Sequence, residues 1–417
     1  MATLKVVVTG GAGQIAYSLV PLIARGLVFG PGVRVHLRLL DIPPSAHALE
    51  GVAMEVQDSL FSTVLDGVLA TTDEGKAFDG AQVAILLGGF PRRPGMERGD
   101  LIGKNASIMK RMGEALERHA CHNCKVVVVA NPAPTNCLVL SSHAPSLPRR
   151  NISCLSRLDH DRMVGMLLNE ANHRLSAAPG SGGGGNSGSG SGGDAGARGR
   201  RRLGPADVRG ACVWGNHSNS QVPDASAVEF FIDGSWVPAV AVIGDSGWLD
   251  LSTSTPHDGS VLEGDVSGLA EAVRGRGAAV LGARKLSSAM SAANAIAGHL
   301  SDWLAAPAAS VSGDTSPSPA VSMGVTSVGN PFGVPEGLFC SFPVHCRGDG
   351  EWAFAEGYRL PEEAGRQLDA SIAELREEKD MVLEMLGEGA AAGGAQTSSF
   401  ASALAPAHSS ATPISSL

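Results

Sequence analysis

Apolar residues come in two rhythms along the first 150 positions. Short unbroken apolar runs at Leu4–Thr9, Val33–Leu40, Ala81–Leu87 and Lys125–Ala130 have the length and β-branched content of strands buried on both faces. Between them lie segments with helical spacing: Gln14–Arg25, Ser45–Leu60 and a stretch from about Asp100 to Ala120. In Ser45–Leu60 the residues Ala46, Leu49, Val52, Ala53 and Val56 fall on one side. Strand and helix in alternation predict an α/β fold, a doubly wound parallel sheet with right-handed crossovers.

The second half reads differently. Val266–Leu304 is predicted to be largely helical, and Val321–Val344 to be two paired strands joined by a turn at Gly329-Asn330-Pro331. Pro361–Leu386 is a charged amphipathic helix with Leu368, Ile372, Leu375, Val382 and Leu386 as its stripe. Three low-complexity stretches interrupt this half: a Gly/Ser tract over 177–202 ending in a cluster of arginines, and segments near 251–264 and 305–319. A low-complexity tail covers 388–417. Such stretches bury too little apolar surface to order themselves and are expected to be disordered. The expected organisation is a first domain over 1–155 and a second, α+β, over 156–387 that carries the interruptions. The basic end of the 177–202 tract is either a tolerated surface insertion or a contact for an acidic partner.

Composition narrows the class. The chain has 417 residues, 43% of them hydrophobic, and a net charge of -9, which gives no reason to expect nucleic-acid binding. No apolar run approaches the ~18 residues of a membrane span, and a first strand at Leu4 is expected to leave no room for a signal or transit peptide. Seven scattered cysteines fit reduced thiols better than a disulfide framework. Cys121 and Cys124 have Cys-x-x-Cys spacing, read here as the end of a helix before a strand; no second pair completes a metal site, and none is expected.

Candidate chemistry sits where this fold places ligands. The glycine-rich turn Thr9-Gly10-Gly11-Ala12-Gly13-Gln14-Ile15-Ala16 follows a strand and opens a helix. That context makes Gly10-x-x-Gly13-x-x-Ala16 a dinucleotide fingerprint of the Rossmann-like type, with the pyrophosphate at the helix N-terminus. Asp41 ends the second strand, where a carboxylate accepts from the adenosine ribose hydroxyls and repels a 2′-phosphate, so NAD is expected over NADP. Asp41 could instead only cap the turn before Pro43-Pro44. Arg92, Arg93 and Arg98 bracket a Pro-Gly turn after the third strand and read as a loop closing over an anion, with a solvated surface loop as the alternative. Asn131 follows the fourth strand at the same, ligand-binding end, although Asn131-Pro132 could instead be only a turn. Downstream, His217 stands in Trp214-Gly215-Asn216-His217-Ser218, a turn that can present an imidazole. Asp159 and Arg162 are three apart on one helical face. One can orient the imidazole while the other grips a substrate carboxylate, a set suited to oxidising a 2-hydroxy acid.

With these residues in view, the chain resembles the malate dehydrogenases, cytosolic NAD type and plant or algal in character. The matching stretches are Thr9–Ser18, Leu49–Asp58, Pro91–Arg98, Asn131–Cys137, Leu155–Arg162, Trp214–Ser218 and Ala283–Ala293, in family order over about three quarters of the chain. The resemblance implies that His217 is the proton acceptor and Asp159 its orienting partner. Arg162 would hold the C1 carboxylate of malate, Arg92 the far carboxylate with Arg98 assisting, and Ser288 would line the pocket. In the related lactate dehydrogenases an uncharged residue stands in place of Arg92. NAD would be contacted by Gly10, Gly13, Gln14, Ile15, Asp41, Gly88, Asn105 and Asn131, the last also touching substrate. A homodimer in the cytoplasm is implied.

Some positions depart from the family: Ala130 replaces a glycine, Pro134 an asparagine, and Asp161 a common asparagine. Plastid NADP-dependent relatives resemble the chain over Ala48–Leu60. They carry Ser-Glu-Arg-Ser after a glycine where this chain has Asp41-Ile42-Pro43-Pro44, and they use terminal cysteine pairs, whereas no cysteine follows Cys346 here. A non-catalytic NAD-binding protein on the same fold is the alternative from another class. The end, Ser415-Ser416-Leu417, is a weak variant of a peroxisomal signal, so peroxisome and plastid stand as alternatives to cytoplasm.

Overall fold

A computed structural model describes residues 3–61, 63–91, 98–177, 201–244, 249, 268–305 and 319–387. The expected insertions near 251–264 and 305–319, most of that at 177–202 and the tail over 388–417 thus lie outside the described residues. The chain forms two compact units: one takes in the residues up to Leu155, from Gly324 to Cys340 and from Ile372 on; the other runs from Ser156 to Met323 and from Ser341 to Ser371. One break between the units lies after Leu155. The strand-forming and helical segments near the C-terminus nevertheless divide between the units, because their apolar faces complete two different cores.

The first unit is built on β1 (Leu4–Thr9), α1 (Gln14–Ala24), β2 (Val35–Leu40), α2 (Ala46–Asp58), β3 (Leu65–Thr71), α3 (Glu74–Phe78), β4 (Val83–Leu86), α4 (Arg98–His119), β5 (Lys125–Val128), α5 (Ala133–His143) and β6 (Ile152–Cys154). All five pairings among these strands are parallel and give the order β3-β2-β1-β4-β5-β6. The strand order reverses between β1 and β4, so a crevice opens at their carboxyl ends, the place where doubly wound sheets take ligands. The unbroken apolar runs follow from burial on both faces: Val6, Val7, Val8, Ala84, Ile85, Val126, Val127 and Val128 are all fully buried. Strand β3 has no such run; it is an edge strand, half-exposed over most of its length, and the apolar pattern does not announce it.

The second unit begins with α6 (Arg157–Ala177), followed by β7 (Val208–Arg209), β8 (Cys212–Trp214), β9 (Val222–Asp224), β10 (Glu229–Ile232), β11 (Ser235–Pro238), α7 (Ala239–Ile243), α8 (Leu269–Arg284) and α9 (Met290–Leu304). Strands β8 and β9 pair antiparallel, with Cys212 opposite Asp224 and Trp214 opposite Val222. Residues 215–221 are therefore the loop of a hairpin. Strands β7, β10 and β11 form a separate antiparallel sheet. On α6, Met163, Met166, Leu167 and Ala171 pack with Val213, Phe230 and Val273. Asn172 on this helix accepts from the Leu203 N–H at 2.8 Å and donates to its carbonyl at 3.1 Å. The backbone at Leu203 therefore lies beside α6.

The helix expected over 266–304 is two helices. Lys285 adopts a left-handed conformation (φ 59°) and ends α8, so residues 286–289 run as a short connection before α9. The remaining elements are β12 (Val321–Thr326), β13 (Phe339–Cys346), β14 (Trp352–Phe354) and α10 (Glu362–Met385). Asn330 shapes the turn after β12. Its side chain donates to the carbonyls of Ser327 and Val334 and accepts from the N–H groups of Phe332 and Val334. The buried face of α10 holds Ala364, Leu368, Ile372, Leu375 and Val382, close to the expected stripe, with the polar Ser371 and Glu378 buried among them. Among the described residues no helix is long and apolar enough to cross a membrane.

Two histidines of the second unit, His160 and His299, are buried. Burial, reinforced by the Arg157 guanidinium, pushes His160 and His299 each down to about 3. Both are neutral in the folded chain at neutral pH, and both take up a proton on unfolding once the pH falls below the ordinary histidine value. A lowered histidine pKa thus contributes stability that is present above about 6.5 and lost as pH falls towards 3. The slope expected is about 1.4 kcal/mol per pH unit for each histidine within that window. Urea unfolding between pH 7 and pH 4 should show it, and His160→Gln should remove about half of the histidine contribution. An unchanged slope in that variant would refute the buried-neutral assignment.

Candidate active site

The glycine turn lies between β1 and α1. Gly10 has φ +67°, and a Cβ there would sit 3.0 Å from the Gly88 nitrogen and 3.1 Å from its Cα. Gly88 follows β4, and its N–H donates to Thr9 Oγ1 at 3.0 Å. The two turns at the reversal of strand order thus touch backbone to backbone, which a side chain on Gly10 would prevent. Gly11, read as only part of the turn, is as constrained: a Cβ would lie 2.8 Å from Leu49 Cδ1 and 3.0 Å from Leu39 Cβ. Gly13 is the N-cap of α1 with Gln14 and Ile15 as the first helical residues, so the unpaired N–H groups of that helix face the turn. Ala16 is fully buried, as close packing of helix on strand requires.

Asp41 follows β2. One carboxylate oxygen accepts from the Ala12 N–H at 2.9 Å and the other from the Ile42 N–H at 2.8 Å. The side chain closes its own turn, as the capping reading has it, and also braces the glycine turn. Each oxygen keeps a further lone pair for a ribose hydroxyl. Turn, helix N-terminus and carboxylate together fit the pyrophosphate and ribose of a dinucleotide.

Asn105 on α4 is almost fully buried, and its amide is committed to backbone. It accepts from the Phe90 N–H at 2.6 Å and donates to the Phe90 and Asn131 carbonyls at 3.3 and 2.8 Å. It therefore joins the segments following β4 and β5, a scaffolding role that the sequence does not reveal. Asn131 is exposed at the end of β5, and its peptide bond to Pro132 is cis. Arg92 lies outside the described residues; Arg98 is the first residue of α4, and its side chain lies outside them too. Cys121 and Cys124 fall between the end of α4 and the start of β5, as the simple reading has it; burial pushes the Cys124 thiol up.

In the second unit, α6 and the β8–β9 loop bring the histidine and its partners together. His217 Nδ1 donates to Asp159 Oδ2 at 2.5 Å. Arg162 Nη1 donates to the other oxygen, Asp159 Oδ1, at 2.9 Å, and Arg162 Nη2 to Ser288 Oγ at 3.3 Å. The three-residue spacing thus pairs Asp159 with Arg162 directly, in addition to placing both on one face. Ser288 reaches Arg162 because of the break between α8 and α9. The Asp159 carboxylate is 1% exposed, Arg162 14% and His217 19%, so the imidazole is the member of the trio most open to a ligand.

Electrostatics follow from this geometry. Burial works to raise the Asp159 pKa, but the nearby His217 and Arg162 cations outweigh it and hold the carboxyl below its ordinary value. Burial works to lower His217, but the charge and hydrogen bond of Asp159 outweigh it, against a smaller opposing push from Arg162, and raise it. With Nδ1 held by Asp159, Nε2 is the nitrogen available to exchange a proton. A second ion cluster on α6 was not foreseen: Arg157 donates to Asp161 at 2.7 Å and also pairs with Asp302. Asp161, the departure noted in the sequence, thus has a specific partner. Among the described residues no group of three or more His, Cys, Asp or Glu is placed to hold a metal ion.

Comparison with known proteins bears on this arrangement. Residues 4–153 match the model for the lactate/malate dehydrogenase NAD-binding domain, and residues 203–386 that for the lactate/malate dehydrogenase alpha/beta C-terminal domain. The chain is 42% identical over 385 residues to malate dehydrogenase 1, cytoplasmic, of Arabidopsis thaliana, spanning 92% of this chain and 98% of that protein. The fold is similar to a malate dehydrogenase from Naegleria fowleri, with TM-score 0.75, 36% identity and 92% and 99% of the two chains covered. It is equally similar, at TM-score 0.75 and 30% identity, to a Trichomonas vaginalis lactate dehydrogenase in complex with NADH and oxamate, covering 93% and 100%.

The contact between Gly10 and Gly88 yields a direct test of the dinucleotide turn. Gly10→Ala places a Cβ on a strained backbone and against Gly88, at an expected cost of about 1–3 kcal/mol in stability, and should weaken NADH binding at least about tenfold (1.4 kcal/mol per decade). Gly32→Ala, where a Cβ meets nothing within 4 Å, is the control. Fluorescence titration with NADH would read both, and equal affinities would dismiss this turn as the dinucleotide site.

Proposed function

The chain belongs to the lactate/malate dehydrogenase family, and on that premise we propose that it interconverts (S)-malate and oxaloacetate with His217 as its acid–base group. It is an NAD-dependent oxidoreductase. The observation that carries the assignment of His217 is the Asp159 carboxylate shared between His217 and Arg162.

When bound, NAD would supply the hydride acceptor for C2 of malate. Gly10, Gly13, Gln14 and Ile15 would hold its pyrophosphate, Asp41 the ribose, and Gly88 and Asn131 the nicotinamide side. In malate oxidation, His217 Nε2 takes the C2 hydroxyl proton. Asp159 keeps Nδ1 protonated, so Nε2 presents its lone pair, and stabilises the imidazolium that forms. In oxaloacetate reduction, the Nε2–H of protonated His217 polarises the carbonyl and then gives up its proton. Arg162 grips the C1 carboxylate through the donors left by Asp159 and Ser288. Arg92, assisted by Arg98, takes the far carboxylate and so selects a dicarboxylic acid over lactate. A homodimer in the cytoplasm is the assembly and location we assign, in keeping with the Arabidopsis relative's cytoplasmic designation.

Two measurements test this. The purified protein should oxidise NADH rapidly with oxaloacetate, poorly with pyruvate, and slowly when NADPH replaces NADH. Strong NADPH use would overturn the role of Asp41, and strong pyruvate turnover that of Arg92. The second is a pH profile. Oxaloacetate reduction needs protonated His217, so its rate falls as pH rises through the His217 pKa, which Asp159 raises. Asp159→Asn removes that charge and should move the alkaline limb to lower pH while kcat drops about 100- to 10,000-fold. An alkaline limb left in place would disprove the pairing.

A further inference from the structure

The residues around His217 hang on hydroxyl groups that the mechanism above does not use. On the strand side, Ser341 exchanges backbone hydrogen bonds with Gly215, its N–H donating at 2.8 Å and its carbonyl accepting at 3.2 Å. Its hydroxyl donates to the Val213 carbonyl at 2.6 Å. These contacts fix the end of β8. The turn itself is held from α10, by Ser371.

Ser371 is fully buried and stands between Leu368 and Ile372 on a face where helical spacing calls for apolar side chains. Its Oγ accepts from the Asn216 N–H, the backbone immediately before His217, at 2.8 Å. It also lies 2.9 Å from Ser220 Oγ, which lies 2.9 Å from Ser218 Oγ, and the Ser220 N–H donates to Ser218 Oγ at 3.0 Å. One hydroxyl therefore reaches the chain on both sides of His217. The fit is close: Gly215 has φ +86°, and a Cβ on it would fall 2.4 Å from Ser371 Oγ. Glycine at 215 lets the serine approach, and the serine supplies the acceptor that a buried N–H requires.

We propose that Ser371 is the positioning residue for His217: it fixes the 215–220 turn so that Nδ1 meets Asp159 and Nε2 faces the substrate. The proposal deepens the acid–base reading of His217 and rests on it. Ser371 touches no reacting atom, and its effect runs through the Asn216 N–H and the Ser218–Ser220 hydroxyls. Loss of the hydroxyl leaves the turn free to relax, which loosens the His217–Asp159 bond. Misplacement by about an ångström is enough to cost about 100-fold in rate.

Ser371→Ala should lower kcat for oxaloacetate reduction about 10- to 100-fold. The oxaloacetate KM and NADH affinity should stay within about twofold, since neither Arg162 nor the glycine turn is altered. The alkaline limb of the pH profile should move to lower pH, because a weaker bond to Asp159 raises His217 less. Ser371→Thr keeps the hydroxyl and should recover most of the rate. A side chain that only stabilised α10 would lower the melting temperature of Ser371→Ala and leave kcat per folded molecule and the pH limb unchanged; that result overturns the proposal. A loss confined to KM does so too. Should Ser371→Ala fail to fold, Ser220→Ala takes its place: a smaller fall in kcat with the same direction of limb shift supports the proposal, and wild-type values overturn it. Titration of the His217 ring by NMR, with no substrate present, separates this inference from the one beneath it. A lowered His217 pKa in the variant shows positioning whether or not oxaloacetate is the substrate, whereas an inactive wild type would strike only at the assigned reaction.

Discussion

A single carboxylate, taken out of water at Asp159, sets the terms for the second unit's chemistry. Removing an unpartnered carboxylate from water costs several kcal/mol, so Asp159 persists as an anion only because His217 and Arg162 each take one of its oxygens. The dependence is mutual. Arg162 neutralises the site enough for the anion to exist, and the anion then holds the imidazole in one tautomer and raises its basicity. Arg162 also opposes protonation of His217, so the basicity of the imidazole is a balance between a bonded anion and a nearby cation. A substrate carboxylate arriving at Arg162 would weaken that opposition, which ties the proton affinity of His217 to occupancy of the site.

Such an arrangement depends on backbone held from several directions. Asp159 and Arg162 gain precision from α6, which packs through Met163, Leu167 and Ala171 into the second unit's core. His217 has no helix of its own. It sits in a hairpin loop, and loops keep geometry only when their polar backbone groups find fixed partners. Here Ser341 and Ser371 supply those partners on either side of Gly215. In the first unit, Gly10, Gly88 and Asn105 do the same for the turns at the sheet's carboxyl edge: backbone approaches backbone, and one buried amide bridges two segments.

What the sequence made legible follows from this division. Strands buried on both faces, the amphipathic helices and the glycine turn carry periodic or compositional signals, and they stand within a few residues of where the pattern puts them. The trio of Asp159, Arg162 and His217 was legible because i, i+3 spacing on a helix is a local rule and the histidine stood in a distinctive turn. Residues whose work is done across long separations gave no such signal. Ser371 reads as a polar intrusion in an apolar stripe, Asn105 as one more polar residue in a long helix, and Gly11 as a spare glycine. Each is explained only by what lies opposite it: Gly215, the Phe90 and Asn131 backbone, and the side chains of Leu39 and Leu49. The break at Lys285 was hidden for a related reason, since a left-handed lysine has no local sequence mark, yet the break is what brings Ser288 to Arg162.

The histidines of the second unit show why neighbourhood in sequence is a poor guide to proton chemistry. His160 is flanked by Asp159 and Asp161, and on sequence alone it is the histidine best supplied with carboxylates. Along a helix, however, adjacent side chains point about 100° apart, so neither aspartate faces it. Its Nδ1 meets Ser322 instead, burial and Arg157 keep it neutral, and its pKa falls to about 3. His217, 58 positions from Asp159, is the one whose ring nitrogen reaches that carboxylate, and its pKa moves the other way. Of His160 and His217, then, only His217 has its pKa raised. The selection is made by direction: Asp159 points towards the hairpin loop, while Asp161 turns to Arg157 and helps fix the far side of the same helix.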